Sequence, residues 1–375
     1  MKIAFDAKRI THNATGLGNY SRFVVNGLLA FHPENQYNLY TPGKGKDFLR
    51  NQITSHNAVS FHYPTGLFEK SFPDYWRFTG LKSQLIKDKI DIYHGLSNEL
   101  PYHIRKSNIA SVVTIHDLIF IRYPQFYKYI DRAIYTYKFR QACLNADRIV
   151  AVSKMTQSDI VSFFNISPDK IDVVYQGCDA SFKRTITEAE AIAIKTKYDI
   201  RSPYILNVGS IEERKNLLLL IKAIKEIKED VQVVVIGKRT PYTNLVEKYI
   251  QENNLTSRIK LLSNIPFNEL PAFYQMASLF VYPSFFEGFG IPILEALHSN
   301  VPVIAATGSC LEEAGGPGSL YTDPYNEYEL SSLIKSVLSN NQLADSMRRK
   351  GKEYLKQFED KKLSDDMANI YKQLY

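Results

Sequence analysis

No stretch of the chain approaches the ~18 consecutive apolar residues that a membrane-spanning helix needs, so an integral membrane protein is not expected. Cysteine is scarce: Cys143, Cys178 and Cys310 are odd in number, far apart and without metal-ligand spacing. That argues against a disulfide framework or a zinc site and fits reduced core thiols in the cytoplasm. Internal repeats and low-complexity tracts are missing, which excludes solenoid and fibrous designs. The opening residues, Met1 to Arg9, lack the apolar core of a signal peptide and read as a first β-strand.

What is present is ordinary globular composition, 45% hydrophobic and 23% charged, over 375 residues. That length exceeds one typical core and predicts two domains. Charge is divided unevenly. Residues 1–178 hold 22 Lys+Arg against 14 Asp+Glu, and the remainder holds 24 against 25. A basic first half suits an anionic partner or surface as well as simple solubility.

Apolar strands alternate with helical periodicity almost throughout. Lys2–Ala7, Asp91–His94, Ile109–Ile115, Arg148–Val152 and Ile171–Tyr175 read as strands, with helices over Tyr20–Leu29, Tyr129–Leu144 and Ser158–Phe164. The pattern restarts with strands at Tyr204–Val208, Val231–Ile236, Ile259–Leu262, Leu279–Tyr282 and Val301–Ala305. Helices follow them at Leu217–Lys228, Leu245–Glu252, Glu269–Met276 and Pro292–Leu297, and polar helices over Glu327–Ser339 and Asn341–Phe358 close the pattern. Such alternation predicts an α/β protein of two doubly wound, Rossmann-like domains with parallel strands, facing a central cleft. Turn residues in Gln176–Thr187 suit a hinge. In such sheets ligands sit outside the carboxyl ends of the strands, so the loops there carry the function.

Four loops stand out. Thr15-Gly-Leu-Gly18-Asn-Tyr20 precedes the first predicted helix; Gly16 and Gly18 permit close backbone approach to an anion, although Ser21 replaces the third glycine of a dinucleotide fingerprint. Alone, this loop reads equally well as a plain turn. Thr114-Ile-His116-Asp117 ends an apolar strand. Its histidine can meet a substrate hydroxyl, and Asp117 can fix the tautomer or cap a turn; a purely structural histidine is the competing reading. Gly209-Ser210-Ile-Glu-Glu-Arg214-Lys215 places a guanidinium fork and an ammonium at a strand–helix junction, a pair suited to a diphosphate. In Pro283-Ser-Phe-Phe-Glu287-Gly-Phe-Gly290-Ile-Pro292-Ile-Leu-Glu295, thin glycine backbone leads into a helix start near Pro292. Glu295 there is either a helix-dipole partner or an acceptor for neutral hydroxyls.

Together these loops resemble retaining glycosyltransferases of the GT-B fold in family 4, in a mannosyltransferase-like branch. The most specific element is Glu-x7-Glu, Glu287 to Glu295, within PSFFEGFGIPILEAL. TGLGNYSR, VVTIHD, ADRIVAVSKMTQSDI, DVVYQGCD, NVGSIEERKN and IPFNELPAFYQMASLFVYPS support it in the family's order along nearly the whole chain. The resemblance implies an N-terminal acceptor domain of residues 1–178 with 357–375 returning to it, and a nucleotide-sugar domain of residues 179–356.

It further implies that Glu295 binds the donor ribose and Glu287 the transferred sugar. Backbone at Phe289, Gly290 and Ile291 meets sugar and phosphate. Lys215 and Arg214 stabilise the departing diphosphate, and Gly16 and Gly18 close over the phosphates. His116 lies beside the reacting sugar, and the base stacks near Ser263, Asn264 and Ile265. Ser210 stands where many members carry arginine, so Arg214 is expected to substitute.

No Asp-x-Asp occurs to hold a cation on a diphosphate. No metal and no cofactor are therefore expected; the resemblance of TGLGNYSR and GSIEERKN to the mannosyltransferase-like branch implies a co-substrate nucleotide sugar of GDP-mannose type. Expected partners are that donor and a glycan or lipid-linked acceptor of cell-surface polysaccharide, with peripheral contact at the inner face of the membrane and no nucleic acid. Two aromatic and basic stretches, Phe61–Phe68 through Trp76-Arg77 and Ile121–Tyr129 through Tyr135–Arg140, are candidates for the acceptor side, against ordinary packing for most of their rings. A sugar-nucleotide epimerase of the same fold and a non-catalytic nucleotide-sugar binding protein are the competing readings.

Overall fold

Every strand pair in the computed structural model, which describes residues 1–72 and 75–375, is parallel. Part of the first aromatic stretch, namely residues 73 and 74 and the side chains of Leu67 and Phe68, lies outside the described residues. The chain forms two units, Met1–Gly177 with Phe358–Tyr375, and Cys178–Gln357.

The first unit carries seven strands: β1 (Lys2–Asp6), β2 (Gln36–Tyr40), β3 (Val59–His62), β4 (Ile92–Gly95), β5 (Ala110–Ile115), β6 (Arg148–Ala151) and β7 (Ile171–Val173). Their order is β3-β2-β1-β4-β5-β6-β7. The chain winds outward from β1 to β3, then returns to β4 on the other side, so the strand order reverses between β1 and β4.

The second unit carries β8 (Tyr204–Val208), β9 (Gln232–Ile236), β10 (Ile259–Leu262), β11 (Leu279–Tyr282), β12 (Val303–Ala306) and β13 (Leu320–Thr322), ordered β10-β9-β8-β11-β12-β13. Its reversal falls between β8 and β11. Helices cover both faces of such a sheet, so a central strand is apolar on both sides. Gln232-Val-Val-Val-Ile236 is buried throughout for that reason, and so is Leu279-Phe-Val-Tyr282.

Several elements differ from the sequence reading. The helix expected from Tyr20 spans Gly16–Phe31, so Gly16 and Gly18 are its first and third residues instead of lying in a loop before it. The helix expected from Ser158 starts at Lys154, where the Ser153 hydroxyl accepts from the Thr156 N–H and caps it. Strands β2, β3 and β13 and the helix Glu188–Tyr198 were not anticipated. That helix carries a capping box, with Thr187 and Glu190 satisfying each other's backbone N–H groups.

The last helix, Asp360–Leu374, packs on Gly16–Phe31 inside the first unit. A Cβ on Gly27 would stand 2.3 Å from Ser364 Oγ, so glycine sets how closely these helices approach. Leu363, Met367, Ile370 and Tyr371 are buried there. At about 1.5–3 kcal/mol per large apolar side chain, this contact is comparable to the whole stability of a typical domain.

Candidate active site

Because the strands of each sheet are parallel, all their carboxyl ends lie along one edge, and the loops that follow them meet there. In the second unit this edge is stitched by backbone and side-chain bonds. Gly209 N–H donates to Ile236 O (2.9 Å), and Gly237 N–H donates to Leu262 O (3.0 Å). Ser263 Oγ donates to Gly237 O at 2.9 Å. The loop after β8 is tied across the strand-order reversal to the loop after β11. Phe285 N–H donates to Arg214 O (2.9 Å), and Asn216 Nδ2 to Pro283 O (3.1 Å).

At that reversal stands a half-buried charge cluster. Glu287 Oε1 lies 2.7 Å from Lys215 Nζ and 2.9 Å from Arg214 Nη1. It also accepts from Ser284 Oγ (2.6 Å) and Tyr282 OH (3.2 Å). Lys215 Nζ donates to Tyr282 OH at 2.6 Å, and Arg214 Nη1 donates to Phe286 O at 2.7 Å. Burial alone would raise the Glu287 carboxyl, but Arg214 and Lys215 outweigh it and hold the group down at about 2. Burial pulls the Lys215 ammonium down, against the opposing attraction of Glu287. Oε1 is fully engaged, whereas no hydrogen bond from the described residues reaches Oε2, which leaves it open to a hydroxyl donor.

Glycine carries the chain from this cluster into a helix. Gly290 has φ +121°, a backbone state that other residues rarely adopt. The helix Ile291–His298 starts one residue before the expected Pro292, and Glu295 is its fifth residue, beyond the first turn. A dipole partner of the first turn is thereby excluded as its explanation. Among the described residues, the N–H groups of Gly290 and Ile291 meet no protein acceptor. Unpaired donors at a helix start form an anion site.

Glu295 Oε2 accepts from Tyr274 OH at 2.7 Å. Burial raises this carboxyl to about 7, with the tyrosine hydroxyl only partly opposing. Ser210 is half-buried beside Gly209, and Asn264, exposed with φ +59°, and Ile265 follow β10 on the same edge. The second unit thus joins Arg214, Lys215 and Glu287 in one cluster and sets Ser210, Asn264, Ile265, Phe289, Gly290, Ile291 and Glu295 along the same edge of the sheet. Sequence reasoning missed Tyr274, Tyr282 and Ser284. All three lie inside quoted segments, but the tyrosines sit in apolar runs that read as core and Ser284 carries no signal of its own.

In the first unit the helix that begins at Gly16 reaches His116 through Tyr20. Tyr20, one turn into the helix, packs edge-on to the His116 ring with centroids 4.7 Å apart. A Cβ on Gly18 would fall 1.9 Å from Asn13 O, so the fold itself requires that glycine; nothing stands within 4 Å of a Cβ on Gly16. His116 Nε2 bonds Leu96 O at 2.9 Å, and a carbonyl only accepts, so Nε2 carries the proton. Nδ1 then accepts from Gln176 Nε2 at 3.3 Å. Asp117, weighed as the group fixing this tautomer, instead accepts from Ile119 N–H at 3.2 Å. Burial lowers the imidazole to about 4, against the bond to Leu96 O. His116 is therefore neutral, with both ring nitrogens engaged.

The expected acceptor stretches divide. Trp76 is fully buried, and Arg77 pairs with Asp6 (2.5 Å) and Glu99 (3.0 Å), so both belong to the interior. Tyr129, Ile130 and Tyr137 on the helix Tyr129–Asn145 are exposed.

Two family models cover most of the chain: Glycosyltransferase Family 4 matches residues 16–182 and Glycosyl transferases group 1 matches residues 188–354. The O-antigen chain mannosyltransferase B of Escherichia coli is 28% identical over an alignment covering 100% of both chains. The O-antigen chain mannosyltransferase RfbU of Salmonella typhimurium is 28% identical over 63% of this chain and 62% of its own. Among solved structures, a glycosyltransferase from Rickettsia africae superposes with a TM-score of 0.77 at 17% identity, over 100% of this chain and 98% of the other. Anabaena Alr3699/HepE, solved in complex with UDP, gives 0.76 at 15% identity over 100% of both. With its paired Rossmann-like domains of the GT-B fold and a family match in each, the chain belongs to the family 4 glycosyltransferases.

Proposed function

We propose that this enzyme is a retaining transferase that moves a hexose, mannose, from GDP-mannose to a glycan or lipid-linked acceptor in cell-surface polysaccharide synthesis. One observation carries the reading. Lys215 and Arg214 meet Glu287 at the strand-order reversal, next to the unpaired N–H groups of Gly290 and Ile291. Cations and open amide donors converging at a switch point suit a nucleotide diphosphate. Glu287 Oε2 and Glu295 then serve neutral hydroxyls, of the hexose and the ribose respectively, and the base lies against Asn264 and Ile265. Mannose and the O-antigen context are supported by the names of the relatives.

In this reading the leaving diphosphate takes the proton of the acceptor hydroxyl as the sugar–phosphate bond breaks, and the new bond forms on the same face. Arg214 and Lys215 stabilise the charge that develops on the diphosphate. His116, neutral with both ring nitrogens taken by Leu96 O and Gln176, has none left for a sugar hydroxyl and does not act as a base. With both cations in place, the reaction needs no metal, and activity is expected to persist in EDTA.

The first domain takes the acceptor, and its basic, aromatic helix Tyr129–Asn145 rests on the inner face of the membrane. No helix among the described residues is long and apolar enough to cross a membrane. Thermal shift with UDP, GDP, ADP and their sugars, followed by NMR of the product's anomeric carbon, tests the reading. Stabilisation by GDP-mannose and an α-linked product are expected. No shift with any nucleotide, or an inverted product, would overturn it, and conversion of donor alone would favour an epimerase.

A further inference from the structure

Two furrows run along the helix Tyr129–Asn145 in the first unit. One, of about 420 Å³, is lined by Tyr129, Arg132, Thr136, Tyr137, Arg140 and Gln141 among others. Their spacing places them on one helix face. Arg132 and Arg140 bring positive charge, and no carboxylate is among the described residues that line the furrow. Arg132 Nε is buried without a hydrogen-bond partner among the described residues.

The second furrow, of about 370 Å³, lies beside it and shares Tyr137 and Gln141. Its chemistry differs. Glu99 is matched by Lys138 at 3.2 Å and by Arg77 at 3.0 Å, so carboxylate and cation balance. Lys138 also lies over the Phe78 ring, 4.8 Å from its centroid. Tyr102 and Tyr137 on its wall are 60% and 64% exposed. Rings of this kind pack on the C–H faces of pyranoses, while carboxylate and amide groups take hydroxyls. Both volumes lie in the range of ligand sites, ~300–1,000 Å³. Through Arg77, Glu99 is tied to Asp6 at the end of β1. The second furrow therefore adjoins the β1/β4 reversal, where open α/β sheets take ligands.

We propose that the two furrows form one acceptor subsite for a lipid-diphosphate-linked glycan, with the diphosphate on Arg132 and Arg140 and the adjoining sugars on Tyr102, Tyr137 and Glu99. This rests on the transferase reading above and adds where, and by which chemistry, the acceptor is held. A charge-balanced furrow sharing a wall with a cationic one matches a ligand that is neutral at one end and anionic beside it; a bare anionic surface would leave the Glu99 side unused.

The test is equilibrium binding of farnesyl diphosphate-linked α-mannobiose in detergent. Methyl α-mannobioside and phosphatidylglycerol vesicles form separate arms. Arg132→Gln/Arg140→Gln should weaken the diphosphate-linked probe about tenfold or more and leave the methyl glycoside unaffected. Tyr102→Ala should weaken both sugars by about fivefold. Melting curves confirm that the variants fold. No saturable binding by the wild type, or equal binding by all variants, overturns the subsite. So does an arginine variant that loses only the vesicles. Binding as expected, with no nucleotide sugar shifting the melting curve, overturns the transferase reading alone.

Discussion

Glu287 and Glu295 are eight residues apart and both half-buried, yet their surroundings drive their carboxyls in opposite directions. Two cations hold Glu287 ionised. Glu295 has only a tyrosine hydroxyl, and burial lifts it to about 7. A carboxyl raised in the folded state contributes stability that is full below its unfolded value and lost as pH rises through about 7. Glu295→Gln should therefore raise the melting temperature of the nucleotide-free protein at pH 8 and much less at pH 5. The gain should be on the order of 1–3 kcal/mol. Donor affinity in calorimetry should fall in the same variant.

Lys215→Ala should lower kcat about 100-fold, roughly 3 kcal/mol, as expected for one preorganised charge. Unchanged turnover would remove Lys215 from the phosphate site. For His116, nitrogen-15 NMR between pH 6 and 8 should show a neutral ring protonated at Nε2, because Leu96 O and Gln176 hold it. An imidazolium signal in that range would contradict the buried, doubly bonded ring. The sequence placed His116 at a strand end, but its partners lie 20 and 60 residues away, and nothing local announces them.

At the scale of elements, the turn from β11 into Ile291–His298 depends on one backbone state. Gly290→Ala would force φ +121° on a residue with a side chain and set its Cβ 3.1 Å from Leu311 Cδ2. Melting should show a loss of roughly 1–3 kcal/mol, and nucleotide binding should weaken as the helix start shifts. This strand–glycine–helix unit was legible because each part has its own signal: an apolar run, two glycines and a proline. β10 and β11 were read to the residue for the same reason. β2 was not, because Gln36-Tyr-Asn-Leu-Tyr40 interleaves polar residues, and β3 is a half-exposed edge strand without an apolar run. The helix Glu188–Tyr198 was legible in principle, since Thr187-x-x-Glu190 is a helix-start signature.

For the molecule as a whole, the charge imbalance is the property to test. The first half carries the excess of cations, and the helix Tyr129–Asn145 exposes Tyr129, Ile130 and Ile134. Co-sedimentation with phosphatidylglycerol vesicles should be strong at low salt. It should fall steeply by ~0.15 M, where the screening length is about 8 Å. Binding indifferent to salt, or absent at low salt, would contradict an electrostatic contact. The charge division was readable from the sequence alone; which of its aromatic residues face outward was not, since Trp76 and Tyr137 look alike until the fold buries one and exposes the other.

The return of Asp360–Leu374 to the first unit sets an order of events on the ribosome. Domains usually complete themselves as they emerge, the first one synthesised being the first finished. Here the order is reversed. Residues 178–357 hold everything their unit needs once they are out, while residues 1–177 wait for the last helix to cover their exposed face. A chain cut short near residue 358 carries a finished second domain and an unfinished first one. The apolar face that the helix Asp360–Leu374 covers would stand open to water in such a chain, so the first unit is complete only with that helix.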